Sequence, residues 1–213
     1  KPFPWHLGDD FSQLRSAREY VKSLQPQNIV RIAHLDTGYT PGHACFPDAI
    51  INKKLQRNFA PGEDDNINSA EDPLVTGLGK MPGHGIGTLS ILAGRRMKIP
   101  AYDFDDYLGL YDKIEIVPIR IASSVILLKS ASFVKAMDYI VNELNSNDST
   151  RVHIITMSMG GLPSKAWATL VNQAYEQGVF MVTAAGNNFA KIPARTMVFP
   201  ARFRRVVAAC GVT

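Results

Sequence analysis

Three residues of this chain carry groups suited to proton transfer and charge stabilisation, and each stands within two residues of a glycine. Asp36 closes the stretch IVRIAHLDTG at residues 29–38, His84 lies in MPGHGIGTLS at 81–90, and Asn187 ends VFMVTAAGN at 179–187. A carboxylate that accepts the Nδ1 proton of a histidine fixes the ring's tautomer. The other ring nitrogen is then free to take a proton from a nucleophile, and the acid stabilises the imidazolium that forms. An asparagine amide at a glycine-flanked turn suits an oxyanion hole, because it donates to charge that develops only in the transition state. Taken alone, His84 reads as well as a structural histidine in a tight turn. Its weight depends on whether the fold brings the three together.

The surrounding pattern supplies such a fold. Residues 9–24 read as an amphipathic helix with Phe11, Leu14, Ala17, Val21 and Leu24 on one side, Asp10 as its cap and Pro26 at its end. Residues 29–35 are a mostly apolar strand, and 55–60 a short strand. The stretch 61–73 is an acidic, polar loop. Residues 85–93 are helical, with Leu89, Ile91, Leu92 and Ala93 as the apolar set, and 95–113 read as irregular. Strands at 114–121, 152–157, 179–183 and 206–210 then alternate with helices at 130–142 and 164–177, the latter stopping at Gly178. The strands are near-continuous apolar runs rather than alternating ones. Such runs between helices imply an α/β fold, a largely parallel sheet with helices on both faces. Ligands of such sheets bind outside the carboxyl ends of the strands. Asp36, the SMGG of residues 158–161, and the AGN of residues 185–187 all follow strand ends, so they are expected on one edge, with His84 opening a helix nearby. No repeat or linker divides the chain, and residues 1–213 read as one domain.

Composition excludes several classes. The 213 residues are 46% hydrophobic and 20% charged, an ordinary globular balance. No run approaches the roughly 18 apolar residues that span a bilayer, so no membrane partner is expected. The net charge of +4 comes from scattered residues. Arg95–Arg96 and Arg202, Arg204 and Arg205 are short clusters without interleaved stacking aromatics, so no nucleic-acid partner is expected either. Two cysteines, Cys45 and Cys210, are too few for a disulfide framework, and Cys210 in its apolar run reads as a small core residue. The opening KPFPW carries no signal-peptide pattern and reads as a trimmed end, which hides the natural address.

These residues, in this order, resemble the subtilisin-like serine proteases. Asp36 in DTG is similar to the family's catalytic Asp motif, and His84 in GHGIGT to its His motif at the head of a buried helix. TMSMGG at 156–161 resembles the substrate-binding segment, and AAGNN at 184–188 the oxyanion segment. The Asp-before-His order also matches that type of triad. The resemblance implies a three-layer subtilisin-like architecture, a peptide or protein substrate, and a secreted or extracytoplasmic address. It assigns Asp36 and His84 to the triad and Asn187 to the oxyanion hole. Ser158, Met159, Gly160, Gly161, Ala185 and Gly186 become substrate-binding. No cofactor is required. Calcium is possible but not indicated: Asp48 and the loop acids Glu63, Asp64 and Asp65 could hold a cation, but read rather as solvated.

Two departures stand out. Ile86, Gly87 and Thr88 replace the family's usual residues after the histidine. The family's nucleophile motif, GTSxxxP, is absent, and the chain stops at Thr213 where the approach to it is expected. Ser158 lacks the glycine before it that a GxSxG elbow needs, and Ser90 should face down its own helix. The sequence therefore reads as the front part of a catalytic domain, inactive alone. An apolar face is left for the missing C-terminal part, or another chain, to cover. The alternatives are a pseudo-protease that binds peptides and a metallohydrolase using His34, Asp36, His43, Cys45 and His84. The second lacks HExxH or paired CxxC spacing, and His34 then reads as packed beside the strand end. A nucleotide-binding loop in GLGKMPGHG fails the phosphate-loop pattern, since Met81 follows Lys80.

Overall fold

The computed structural model describes residues 7–25, 27–60, 62, 66–109, 112–187 and 197–211. Its elements in chain order are α1 (Leu14–Ser23), β1 (Val30–Asp36), β2 (Arg57–Asn58), α2 (His84–Ala93), β3 (Arg96–Ile99) and β4 (Phe104–Tyr107). Then come β5 (Ile114–Arg120), β6 (Ile126–Leu127), α3 (Ala131–Asp138), β7 (Ile154–Met157), β8 (Gly160–Gly161), α4 (Lys165–Glu176), β9 (Phe180–Ala184) and β10 (Val207–Ala209).

Six strands form one sheet in the order β10-β9-β7-β1-β5-β2, and every pair in it is parallel. β1 is central, and both its faces are covered. Ala33 and Leu35 point into the larger core with Phe133, Met137, Trp167 and Val171 of α3 and α4. Ile32, one pleat over, points to the opposite core with Ile86, Leu89 and Ala93 of α2. Period-two alternation therefore sends Ile32, His34 and Asp36 to the α2 side. Strands buried on both faces explain the unbroken apolar runs in the sequence.

The helices cover the sheet for local reasons. Ser164 Oγ accepts the Trp167 N–H at 3.2 Å and caps α4. Trp167, Leu170, Val171 and Ala174 recur on one face and are buried. The helix stops at Gly178, whose φ of +80° suits glycine at a helix C-terminus. The Trp167 ring lies 4.1 Å from that of Phe133, centroid to centroid, and its Nε1 donates to the Ser130 carbonyl at 3.1 Å. α3 continues through one π-helical turn, Tyr139–Glu143, whose Tyr139, Ile140 and Val141 are also buried.

Several expectations change. α1 begins at Leu14 rather than residue 9, and Asp10 does not cap it. Gln13 holds that position in the left-handed conformation. No residue of α1 is buried, and Phe11 and Leu24 are exposed. The helix is tied down by charge instead, since Arg15 and Arg18 both pair with Asp106. The span 95–113, read as irregular, contains the antiparallel β3–β4 hairpin. Arg96-Met97-Lys98-Ile99 does alternate, but only over four residues, and the Phe-Asp-Asp-Tyr of β4 does not carry the alternation on. Ile91 is 65% exposed, because it stands two residues from Leu89 and so on the far side of α2. Cys210 is exposed rather than packed. It follows β10, an outermost strand of the sheet whose Val207 is also exposed. Glu63, Asp64 and Asp65 lie outside the described residues. Among the described residues, no helix is long and apolar enough to cross a membrane.

Candidate active site

β1 delivers Asp36 to the carboxyl edge of the sheet, where its side chain is fully buried. Asp36 Oδ1 accepts the Thr37 N–H at 2.7 Å and lies 2.7 Å from His84 Nδ1. A charged acceptor on the imidazole fixes the proton on Nδ1 and leaves Nε2 bare. The His84 side chain is 27% exposed, so the far side of its ring reaches solvent. Among the described residues, no serine hydroxyl bonds to it.

The two motifs meet through their main chains. Gly38 follows Asp36 with φ +114°, and Gly85 follows His84. A Cβ on Gly85 would fall 2.0 Å from the Gly38 carbonyl oxygen, and one on Gly38 would fall 2.7 Å from that of Ala70. Glycine at 85 lets the head of α2 touch the β1 turn, and glycine at 38 lets the Ala70–Asp72 segment pack against that turn. Asp72 ties the same contact. Its Oδ2 accepts the Thr37 hydroxyl at 3.2 Å and the Gly83 N–H at 2.8 Å, while Thr37 Oγ1 accepts the Gly85 N–H at 3.0 Å. Arg120, fully buried at the end of β5, donates from Nε to the Thr37 carbonyl at 3.0 Å.

The electrostatics follow from this packing. Burial pushes the Asp36 carboxyl up, but the hydrogen bond from His84, the charge of the nearby imidazoles and the Thr37 N–H together hold it below the usual carboxylate range. The hydrogen bond to Asp36 raises His84 above its ordinary 6.5, against the opposing effect of burial. His34, on the same face of β1, is instead pushed below 6.5 by burial, although Asp36 draws it the other way. The site thus holds a buried carboxylate, a basic imidazole and a second imidazole whose charged form burial disfavours.

Register places the other expected residues. Leu35 pairs with Met157, and Met157 with Thr183. The chain therefore leaves β1, β7 and β9 at one level, across about 10 Å for two inter-strand spacings. Ser158 and Met159 follow β7 directly. Met159 is buried, its side chain in the larger core, so what it can offer a ligand is backbone. Gly160 and Gly161 pair in parallel with Ile126 and Leu127, and Gly161 also bridges to Phe199. Ala185 and Gly186 follow β9. Ala185 N–H donates to the Ala209 carbonyl at 2.9 Å, and Gly186 takes φ +101°. Asn187 is exposed at the end of this turn. Ser90 does face down its own helix, donating to the Ile86 carbonyl at 2.8 Å.

Of the residues of the metallohydrolase alternative, His34 and His84 both meet Asp36, but His43 and Cys45 do not join them. His43 Nδ1 accepts the Cys45 N–H at 3.3 Å in its own loop. Among the described residues no group of three His, Cys, Asp or Glu side chains is arranged to hold a metal ion. Asp48 Oδ2 accepts the Gly42 N–H at 2.7 Å.

Sequence reading missed Thr88, Asp72 and Arg120. Thr88 was within reach, since four residues after His84 is the same helix face. Asp72 comes from a loop whose return to the site no spacing rule gives.

Residues 27–213 match the model of the subtilase family, peptidase S8. A subtilisin-like serine protease of Penicillium rubens is 25% identical over 183 residues, covering 86% of this chain and 39% of its own length. A subtilisin-like protease of Coccidioides posadasii is 24% identical over 184 residues, with the same coverage of 86% and 39%. The chain thus spans well under half the length of the curated relatives it matches. Among solved structures, the epidermin leader peptide processing serine protease of Staphylococcus aureus superposes with a TM-score of 0.55 at 16% identity, over 92% of this chain and 50% of that one. At that identity the likeness is one of fold.

Proposed function

Because this chain belongs to the subtilase family, we propose that it carries the acid, base and oxyanion donor of a secreted serine endopeptidase whose nucleophile is supplied from beyond residue 213. The observation that carries this reading is the 2.7 Å contact between buried Asp36 and part-exposed His84, with the far ring nitrogen left for a substrate-side proton. Asp36 orients His84 and stabilises its protonated form. His84 Nε2 takes the proton of the serine hydroxyl as its oxygen attacks a peptide carbonyl. The Asn187 amide and a backbone N–H donate to the oxyanion that forms. His84 then gives its proton to the departing amine, leaving an acyl-enzyme, and water admitted by the same base hydrolyses the ester. Ser158, Met159, Gly160, Gly161, Ala185 and Gly186 offer backbone to the peptide. No cofactor takes part in these steps.

The serine would arrive with further chain that packs on the open end of the sheet. β10 has no outer neighbour among the described strands, and Phe180, Tyr175 and Val207 beside it are about half exposed. Such an edge invites pairing. The 213 residues alone are therefore inactive in this reading. A second reading, a peptide-binding pseudo-protease, rests on the lack of a serine bonded to His84 among the described residues.

An active-site-directed serine probe separates them. The intact natural protein labels and cleaves a peptide, its His84→Ala variant does neither, and the 213-residue chain does not label. Labelling of the short chain, or full labelling without His84, overturns the triad assignment. An intact protein that binds peptides without labelling is the pseudo-protease.

A further inference from the structure

The triad logic uses one oxygen of Asp36, and the structure surrounds the other with groups that logic does not require. His34 shares the α2 side of β1 with Asp36 and is 2% exposed. Its Nε2 lies 2.9 Å from Thr88 Oγ1 and 3.7 Å from Asp36 Oδ2. Thr88 Oγ1 in turn lies 3.2 Å from Asp36 Oδ2 and 3.0 Å from the Gly85 carbonyl. On the opposite side of the imidazole, Nδ1 is buried with no hydrogen-bond partner.

Proton placement follows from what each tautomer leaves unpaired. The Thr88 hydroxyl has one proton to give. With the His34 proton on Nδ1, a buried N–H would lack an acceptor, and bare Nε2 would compete with Asp36 for the Thr88 proton. With the proton on Nε2, His34 donates to Thr88 Oγ1, and the hydroxyl hydrogen is turned away from His34. It then faces the Asp36 carboxylate and the Gly85 carbonyl, and the charged acceptor is the stronger one. Only a lone pair on Nδ1 remains unmet. An aliphatic side chain at position 34 would bury no polar atom at all, as Ile32, Ala33 and Leu35 around it show. Filling space is therefore a poor account of this histidine.

The carboxylate needs such a hold. A carboxylate torsion is broad, and the Thr37 N–H and His84 both act on Oδ1, so a donor to Oδ2 is what narrows the plane of the carboxylate. We propose that His34 is a positioning residue for the Asp36–His84 pair: it sets the Thr88 hydroxyl as a donor to Asp36 Oδ2 and thereby locks Oδ1 against His84. This rests on Asp36 and His84 being the acid and base of the proposed peptidase.

The test has two arms. Long-range proton–nitrogen NMR on the 213-residue chain reads the tautomers directly. His34 carries its proton on Nε2 with Nδ1 bare, and His84 carries its own on Nδ1. A proton on His34 Nδ1 overturns the relay. His34→Leu and Thr88→Val then broaden or abolish the His84 Nδ1–H signal. His34→Gln, whose amide reaches the place of Nε2, retains it, and this variant decides the matter should His34→Leu fail to fold. In the intact protein, His34→Leu and Thr88→Val each lower kcat by about tenfold or more with KM unchanged, the scale of a small misplacement of catalytic groups. The double variant is no worse than either single one, and His34→Gln recovers most of the rate. A purely structural role would lower the melting temperature of His34→Leu yet leave the His84 signal and kcat as they were. That result overturns the proposal. If no form of the intact protein labels with a serine probe, the peptidase reading fails, and the NMR arm still decides the positioning role.

Discussion

Asp36→Asn isolates the charge of the buried acid from its shape. Asn is isosteric. Its Oδ1 can keep the contacts to the Thr37 N–H and His84 Nδ1 that Asp36 Oδ1 makes at 2.7 Å each. Its amide nitrogen then falls where Oδ2 stands, 3.2 Å from Thr88 Oγ1, and donates to it, while the hydroxyl turns its proton to the Gly85 carbonyl at 3.0 Å. The former partners of Asp36 remain satisfied and only the second amide N–H lacks an acceptor, so the fold should survive with reduced stability. What disappears is a charge-assisted hydrogen bond, worth about 1.5–3 kcal/mol, that favours the imidazolium. Burial, the opposing influence, is left in place. The His84 titration should therefore move from above the ordinary 6.5 to below it. Proton NMR of the imidazole Cε1–H in the 213-residue chain reads that crossing without any need for enzymatic activity. In the intact protein, kcat should fall steeply, by up to about 10⁴-fold, the loss that the isosteric Asp→Asn change brings in the Ser-His-Asp template, where the wrong tautomer adds to the loss of charge. A His84 titration unmoved by Asp36→Asn would mean that the contact is not made in solution, and the assignment of the base would go with it.

The two imidazoles should shape stability on opposite sides of pH 6.5. His34, depressed by burial, is protonated more readily in the unfolded chain, so stability falls as pH drops below 6.5. His84, raised by Asp36, contributes stability fully below 6.5 and loses it as pH climbs through its folded value. Urea midpoints between pH 5 and 8 should show this dome, and His34→Leu should flatten its acid limb; an unchanged acid limb would contradict the burial of His34. Gly85→Ala forces a Cβ to within 2.0 Å of the Gly38 carbonyl. Overpacking of this kind costs roughly 1–3 kcal/mol or more, to be read as a lowered urea midpoint together with a shifted His84 resonance. Asn187→Ala in the intact protein should reduce kcat by roughly 100- to 1,000-fold with KM little changed, a figure carried over from the oxyanion asparagine of subtilisin itself; a rise in KM alone would remove Asn187 from that role.

Much of this architecture was legible in the chain because buried parallel strands write themselves as apolar runs. β1, β5, β7 and β9 all lie within a residue or two of their expected ends; Asp36 ends its strand, and Ser158 and Asn187 follow theirs. The helix at His84 was legible because Gly83 precedes it and Leu89 lies buried a turn beyond. The hairpin β3–β4 was not, because its apolar alternation is confined to the four residues of β3, with Met97 and Ile99 half-buried, and fails in Phe104–Tyr107. α1 misled for the opposite reason. Its apolar spacing is genuine, but the helix is held by Arg15 and Arg18 on Asp106, a contact 88 residues away from Arg18 that periodicity cannot foresee. The role of His34 was hidden too. Adjacency to Asp36 along the strand gives its face, while the partner that makes it interesting, Thr88, arrives from another element.

The central place of β1 has a kinetic side. Its two neighbours, β5 and β7, lie far along the chain: Val30 pairs with Ile114 and Ile32 with Ile154. Closing loops of that length is slow, and topologies built on such pairings fold late relative to local ones. Asp36 can therefore be fixed at the sheet edge only after most of the chain has been gathered. The Asp36–His84 contact is then a clock as well as the proposed acid–base pair: its appearance in a refolding experiment should mark completion of the sheet centre, behind the helices and ahead of nothing large.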